Sequence, residues 1–368
     1  MFRPSATSIL NSLLALSLCW QGDQPGLKTE RAAPPAATAP APSSSSSNAK
    51  PSQTTACRNS IDRGTKWLLS AMRRDGSLGS DVGRPADLGC TAIAGLALLS
   101  QGNTTRAGPH SRELRLLLDA VLDHVDQVPG GQMPGDGTTL LQRKIGMGAH
   151  SFLAALFLSQ ILGEAPDSEA DVRRALEKLV WIICRTQGPD GTWGDESWAP
   201  VLGTVLGWES LRASHSVGLK IDASARKAGE ALIEKLRTQT YDKDNWMHNF
   251  YKDAASLRVL YSLGYQDDPA FKDATTRIQT LVREDYRPFT FAGGEEYLSF
   301  FLVTECMLKE RRDSWQAWYP LVRDKLIAVQ NRDGSWSGHH CITARTFCTA
   351  AALLTLQAPN LYLPISNL

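Results

Sequence analysis

From residue 57 onward the chain reads as twelve helical segments of two alternating kinds, and this alternation limits the possible folds more than any other feature. Gly, Pro and Asp punctuation sets the segments at roughly 59–74, 89–101, 111–127, 146–162, 168–186, 200–216, 222–239, 250–263, 268–284, 294–310, 314–330 and 344–357. The odd ones, such as "SEADVRRALEKLVWIICRTQ", carry one charged face. The even ones, "GCTAIAGLALLSQG", "GAHSFLAALFLSQILG" and "RTFCTAAALLTLQ" among them, are apolar nearly all round. A helix apolar all round has to be enclosed by protein. Six amphipathic helices outside six apolar ones therefore predict a closed double ring in which each outer–inner pair is one repeat. Small residues on the inner helices (Ala92, Ala94, Gly95, Ala350, Ala351, Ala352) let crowded neighbours approach. No alternating run with hairpin chemistry argues for a sheet, so the chain is expected to be all-α.

A turn signature repeats on this frame. "TQGPDGTW" (186–193) returns as "VQNRDGSW" (329–336), giving Gln187, Gly191, Trp193 and Gln330, Gly334, Trp336 in the same register. Both stretches follow an outer segment and lead into an inner one. Gln is expected to tie down helix-end backbone groups, Gly to take the left-handed conformation of a helix stop, and Trp to pack between repeats. "RGTKWLLSAMRRDGSLG" (63–79) is a degenerate copy with Leu78 in place of Trp, and "TYDKDNW" (240–246) is a more eroded one. The signature reads as structural.

The first 56 residues are different material. "SILNSLLALSLCW" (8–20) is too short to span a bilayer and reads as the apolar part of a signal peptide, placed at 1–22. "LSLC" (16–19) resembles a lipobox ending in Cys19, with Leu18 where Gly or Ala is usual. Residues 23–56, rich in Ala, Pro and Ser, lack the apolar content to offset ordering entropy and are expected to be a disordered linker ahead of one domain at 57–368. An exported protein of the periplasm, envelope or extracellular space follows, with envelope association through its N-terminus. Limited proteolysis should trim it to a resistant fragment starting near Cys57, and protection of the N-terminal segment would count against the linker. A net charge of +1 offers no electrostatic case for nucleic acid. Outside the signal there are six cysteines, an even count that permits disulfides; Cys57 and Cys341, both outside the helical segments, are the first pair to test.

Arg63-Gly64-x-x-Trp67-Leu68 before a glycine turn, with the two intact Gln-x-x-x-Gly-x-Trp turns, resembles the QW repeat of squalene–hopene cyclases, whose α/α-toroid fold is shared with protein prenyltransferase β-subunits. The whole of 57–368 is similar to stand-alone exported bacterial proteins of that repeat family, and the resemblance implies an (α/α)6 toroid. Activity has to be sought residue by residue. Class II cyclases protonate an alkene with a DxDD acid, and this chain has none; "DKDN" (242–245) has Asn245 where the last Asp belongs, and "YQDD" (265–268) lies at an inner-to-outer crossing. Prenyltransferases hold Zn²⁺ with Asp, Cys and His. "SGHHCITARTFC" (337–348), with Asp333 nearby, offers Asp333, His339, His340 and Cys341 at a spacing that does not match that ligand set. A complement-type thioester is excluded, because Gly293-Gly294-Glu295-Glu296 has neither Cys nor Gln.

The remaining candidates converge where outer helices cross to inner ones. Glu295 and Glu296 are carboxylates for acid–base work of the kind polysaccharide enzymes use, or helix N-terminal charges favoured by the macrodipole. His150 and Asp253 are further catalytic candidates, although a lone His at the start of an apolar helix is more often hydrogen-bonded structure. Trp198, Tyr251, Tyr297 and Arg345 are expected to line a central aromatic cavity, for which an apolar or isoprenoid-like ligand is the natural occupant. Neither cofactor nor metal is read as required. The chain is read first as a binding or interaction domain, with an isoprenoid, lipid or polysaccharide enzyme as the alternative.

Overall fold

The computed structural model describes residues 54–193, 197–221, 223–238, 245–310, 312–360 and 363. The signal segment, most of the linker, Asp242, Lys243 and Asp244 lie outside the described residues. Twelve long helices match the expected segments. The outer ones are α1 (Thr55–Ala71), α3 (Ser111–Gln127), α6 (Glu169–Arg185), α8 (Ala223–Thr238), α10 (Pro269–Glu284) and α13 (Arg312–Ala328). The inner ones are α2 (Leu88–Leu99), α5 (Ala149–Ile161), α7 (Pro200–Ser216), α9 (Trp246–Ser262), α12 (Gly294–Lys309) and α14 (Arg345–Gln357). Two short helices in the crossings were not anticipated, α4 (Leu140–Ile145) and α11 (Arg287–Thr290). Among the described residues there is no strand, only one antiparallel bridge between Gly79 and Ala86.

The inner helices touch in the order α2–α5–α7–α9–α12–α14–α2, which closes a ring. Sequence character accounts for the layering. On α3 the buried residues are Leu114, Leu117, Leu118, Val121 and Val125, a single stripe at helical spacing. On α2 and α5 every residue is buried. Each inner helix packs more extensively on the outer helix after it than on the one before. Connection length accounts for this at the end of the chain: α12 passes to α13 through two residues, whereas α13 needs residues 329–344 to reach α14. The last inner helix, α14, packs on the first outer helix, α1. On α14 everything from Thr346 to Gln357 is buried, so with α2 and α5 this side of the ring is filled by side chains rather than left as an aromatic-lined cavity. Cavities of about 550 and 490 Å³ lie elsewhere, one between α9, α10, α12 and α13 and one against α6.

Three crossings share one turn. Gly76, Gly191 and Gly334 have φ of 86°, 82° and 97°, and a Cβ on Gly191 or Gly334 would come within 2.5 Å of the Lys227 or Arg63 carbonyl oxygen on the next outer helix. Only glycine meets both demands. The preceding aspartate accepts from the N–H and hydroxyl two residues on: Asp75 from Ser77, Asp190 from Thr192, Asp333 from Ser335. A threonine of the following inner helix accepts from the turn's last residue, Thr91 from Leu78, Thr204 from Trp193 and Thr349 from Trp336. The indole N–H groups of Trp193 and Trp336 donate to Ile183 and Leu326 at 3.0 and 2.8 Å. The helix-end carbonyls are thus met by Trp, while Gln187 and Gln330 donate to the carbonyls of Gly191 and Gly334.

Candidate functional site

Antiparallel helices bring the outer-to-inner crossings to one end of the ring. Neighbouring crossings are stitched together there: Ala199 N–H donates to Lys144, Thr346 N–H to Ser80, and His339 N–H to Ala292. The chemically richest cluster forms where the last crossing lies on the start of α12. Gly294 N–H donates to Ile342 O at 2.9 Å, and Ile342 N–H donates back to Glu295 Oε2 at 3.3 Å. Glu296 Oε2 accepts from Gly293 N–H at 2.6 Å, closing the first turn of α12. His340 Nε2 stands 3.1 Å from the same Oε2.

Both carboxyls are buried, Glu295 at 3% and Glu296 at 0% exposure. Burial, reinforced by the Glu296 charge, pushes Glu295 up to about 6. The Glu296 carboxylate raises His340 against the effect of burial. Burial and Glu295 push the Cys341 thiol up to about 11, with Lys144 acting in the opposite sense. Cys341 has φ of 45°, the one positive-φ residue other than glycine among those described. Glu295, His340 and Cys341 bring donor atoms within 4.8 Å of one another. Tyr251 borders this cluster: burial and then the charges of Glu295, Glu296 and Cys341 raise its phenol, and its hydroxyl donates to Trp198 O at 3.4 Å.

The other candidates go elsewhere. Asp333, offered by sequence as a metal donor, is the turn aspartate of the repeat and pairs with Arg345. His339 turns to the Phe291 ring, with centroids 6.5 Å apart. Arg345 also reaches Asp81 at 3.7 Å and lies over Trp67, tying the first crossing to the last. Asp253 is buried and held by Arg277 of α10 through bonds of 3.0 and 2.7 Å. His150 is buried beside Asp87 at 3.4 Å and Thr139 at 3.1 Å. Asp87 caps α2, and against its burial the His150 contact and the Cys90 N–H hold its carboxyl below the usual range. Tyr297 is buried in the ring wall with its edge to Phe300. Trp198 is 66% exposed with Lys144 Nζ 3.7 Å from its centroid. Cys57 and Cys341 are both free; Cys57 faces the Tyr319 hydroxyl. Sequence reasoning missed Lys144 and the Ile342 N–H. The packing of α12 against α14 is what joins "GGEEY" to "GHHC", and neither stretch shows it alone.

Among solved structures, type II terpene cyclase MstE from Scytonema, in its apo form, aligns with a TM-score of 0.51 at 16% identity, over 84% of this chain and 99% of its own. The fold is a terpene-cyclase-like α/α toroid. A variant of the same enzyme aligns at a TM-score of 0.49 and 16% identity, over 84% of this chain and 98% of its own. No protein-family model and no curated protein matches the chain. Among the described residues no helix is long and apolar enough to cross a membrane.

Proposed function

We propose that this chain is an exported binding toroid of the cell envelope that takes an apolar or isoprenoid-like ligand or partner at its crossing end. One observation carries the reading. Among the described residues six large apolar side chains are exposed, and five of them, Val82, Met147, Trp198, Tyr286 and Phe291, sit in outer-to-inner crossings; Trp181 on α6 is the sixth. Exposed apolar side chains that share one end of the ring favour a binding surface there more than ones spread over the whole molecule would. The test is native mass spectrometry after incubation with geranylgeraniol. A saturable one-to-one adduct, weakened at least about tenfold in Trp198→Ala/Phe291→Ala, is the expected outcome. Binding unaffected by the double substitution, or none at all, would overturn it.

A lipid-modifying enzyme is the second reading, favoured by the buried Glu295 poised near neutrality beside His340. The polysaccharide reading loses ground. Its two carboxyls must stand across a sugar ring, and Glu295 and Glu296 are consecutive in one helical turn.

A further inference from the structure

We propose that Glu295, His340 and Cys341 bind one borderline-soft divalent cation of the Zn²⁺ type, and that this ion acts as a clasp fastening the last crossing onto the start of α12. The proposal is independent of the apolar-ligand reading. It rests first on the donor set: a carboxylate, an imidazole and a thiol from two segments 45 residues apart, within 4.8 Å of one another. Thiolate with imidazole selects zinc-like ions over magnesium or calcium.

Backbone geometry is the second support. Cys341 adopts a left-handed φ of 45° although it is not glycine. That conformation carries a cost, and no turn glycine has been placed there to relieve it. With it, His340 and Cys341 face Glu295 together while His339 turns to Phe291. Consecutive residues in ordinary extended backbone would point to opposite sides.

The carboxylate behind the histidine is the third. Glu296 Oε2 lies 3.1 Å from His340 Nε2, which leaves Nδ1 as the ligating nitrogen; a carboxylate on the other ring nitrogen is the partner that metal-bound histidines commonly keep. Tetrahedral bonds of about 2.0–2.3 Å put donors roughly 3.3–3.7 Å apart, so side-chain rotation of about 1 Å completes the site. Three protein donors leave one position open. On binding, the Cys341 thiol gives its proton to solvent and the thiolate sulfur bonds the ion, with no change of oxidation state.

The test uses the full chain, dialysed against metal-free buffer and titrated with Zn²⁺ and Co²⁺. One equivalent of Zn²⁺ should bind and raise Tm, and hydrogen exchange should slow across 337–343. Co²⁺ should give a thiolate-to-cobalt charge-transfer band that Cys341→Ser abolishes, since the buried thiols Cys57, Cys90, Cys306 and Cys348 remain in that variant. Glu295→Gln, nearly isosteric, guards against a merely unfolded cysteine variant and should weaken Zn²⁺ at least about tenfold; Glu296→Gln should weaken it about 10–100-fold. Binding well below one equivalent, a charge-transfer band that survives in Cys341→Ser, or Zn²⁺ affinity unchanged in a folded Glu295→Gln protein would overturn the site. Stoichiometric binding without slowed exchange at 337–343 would overturn the clasp.

Discussion

Trp336→Ala is expected to destabilise the ring by about 3–5 kcal/mol, the range for truncating a fully buried aromatic. The indole is completely enclosed. It lies so close to Gly64 that a Cβ there would come within 2.7 Å of the ring, and the Trp336 N–H donates to Thr349 of α14 at 3.0 Å. Its contacts therefore join α13, α1 and α14, three elements with no common short connection. Truncation opens a cavity among them and strands the Leu326 carbonyl, which now receives the indole N–H at 2.8 Å. Trp193→Ala should behave likewise, because that ring sits edge-on to Phe152 and against Gly207. Urea unfolding followed by circular dichroism measures both. A loss below about 1 kcal/mol for either would mean that the turn does not bind the repeats together.

Glu209→Ala should be equally damaging, about 3–5 kcal/mol, for an electrostatic reason. Glu209 is 2% exposed and accepts from Arg258 at 2.6 Å, Arg212 at 3.0 Å and Ser262 at 2.9 Å. Arg258 is itself 3% exposed. Removing the carboxylate takes away the hydrogen-bonded counter-charge of a buried guanidinium and leaves Glu305 as the other acid acting on it. Glu209→Leu combined with Arg258→Met should recover much of the loss, since an apolar pair of similar size avoids desolvating two ions. Acid titration gives an independent reading. Burial works against the charged form, but Arg212 and Arg258 outweigh it and hold the Glu209 carboxyl at about 2, below its ordinary 4.5. A depressed carboxylate contributes stability that is complete above its ordinary value and is lost as pH falls toward its folded one. The wild-type protein should therefore lose stability between about pH 4.5 and 2 more steeply than the double variant. Equal slopes would remove Glu209 from the account.

The two predictions differ in how far sequence alone could have led to them. Trp336 stands in a repeated signature, so its burial was legible before any coordinates. The alternation of amphipathic and apolar segments was legible for the same reason: α5 is buried over all thirteen of its residues, leaving no ambiguity of face. α4 and α11, with six and four residues, are too short to show any periodicity. Glu209 was passed over altogether, because a lone acid in an apolar helix declares its role only when Arg258, 49 residues on, is set beside it. Asp253 was singled out, but as a catalytic candidate, because its partner Arg277 lies 24 residues on in the next helix. At the crossing end Glu295, Glu296, His340 and Cys341 were each visible as chemistry. What local spacing could not convey was the left-handed backbone at Cys341, which separates His339 from its neighbours. Asp333 misled because its residue type suits a metal, whereas its place in the Asp-Gly-Ser turn suits a hydrogen-bonded stop.

Ring closure has a consequence for how the chain is made. Ser60 of α1 is hydrogen-bonded to Gln330, 270 positions further on, and Gln357 of α14 reaches back to Ala97 of α2. A polypeptide emerging from its amino end must carry α1 and one flank of α2 uncovered until the last inner helix has been made. Long-range contacts of this kind form late and slowly, and the apolar flank is open to self-association in the interval. Holding factors that delay compaction until the whole chain is present would therefore raise the yield of this protein more than faster synthesis would.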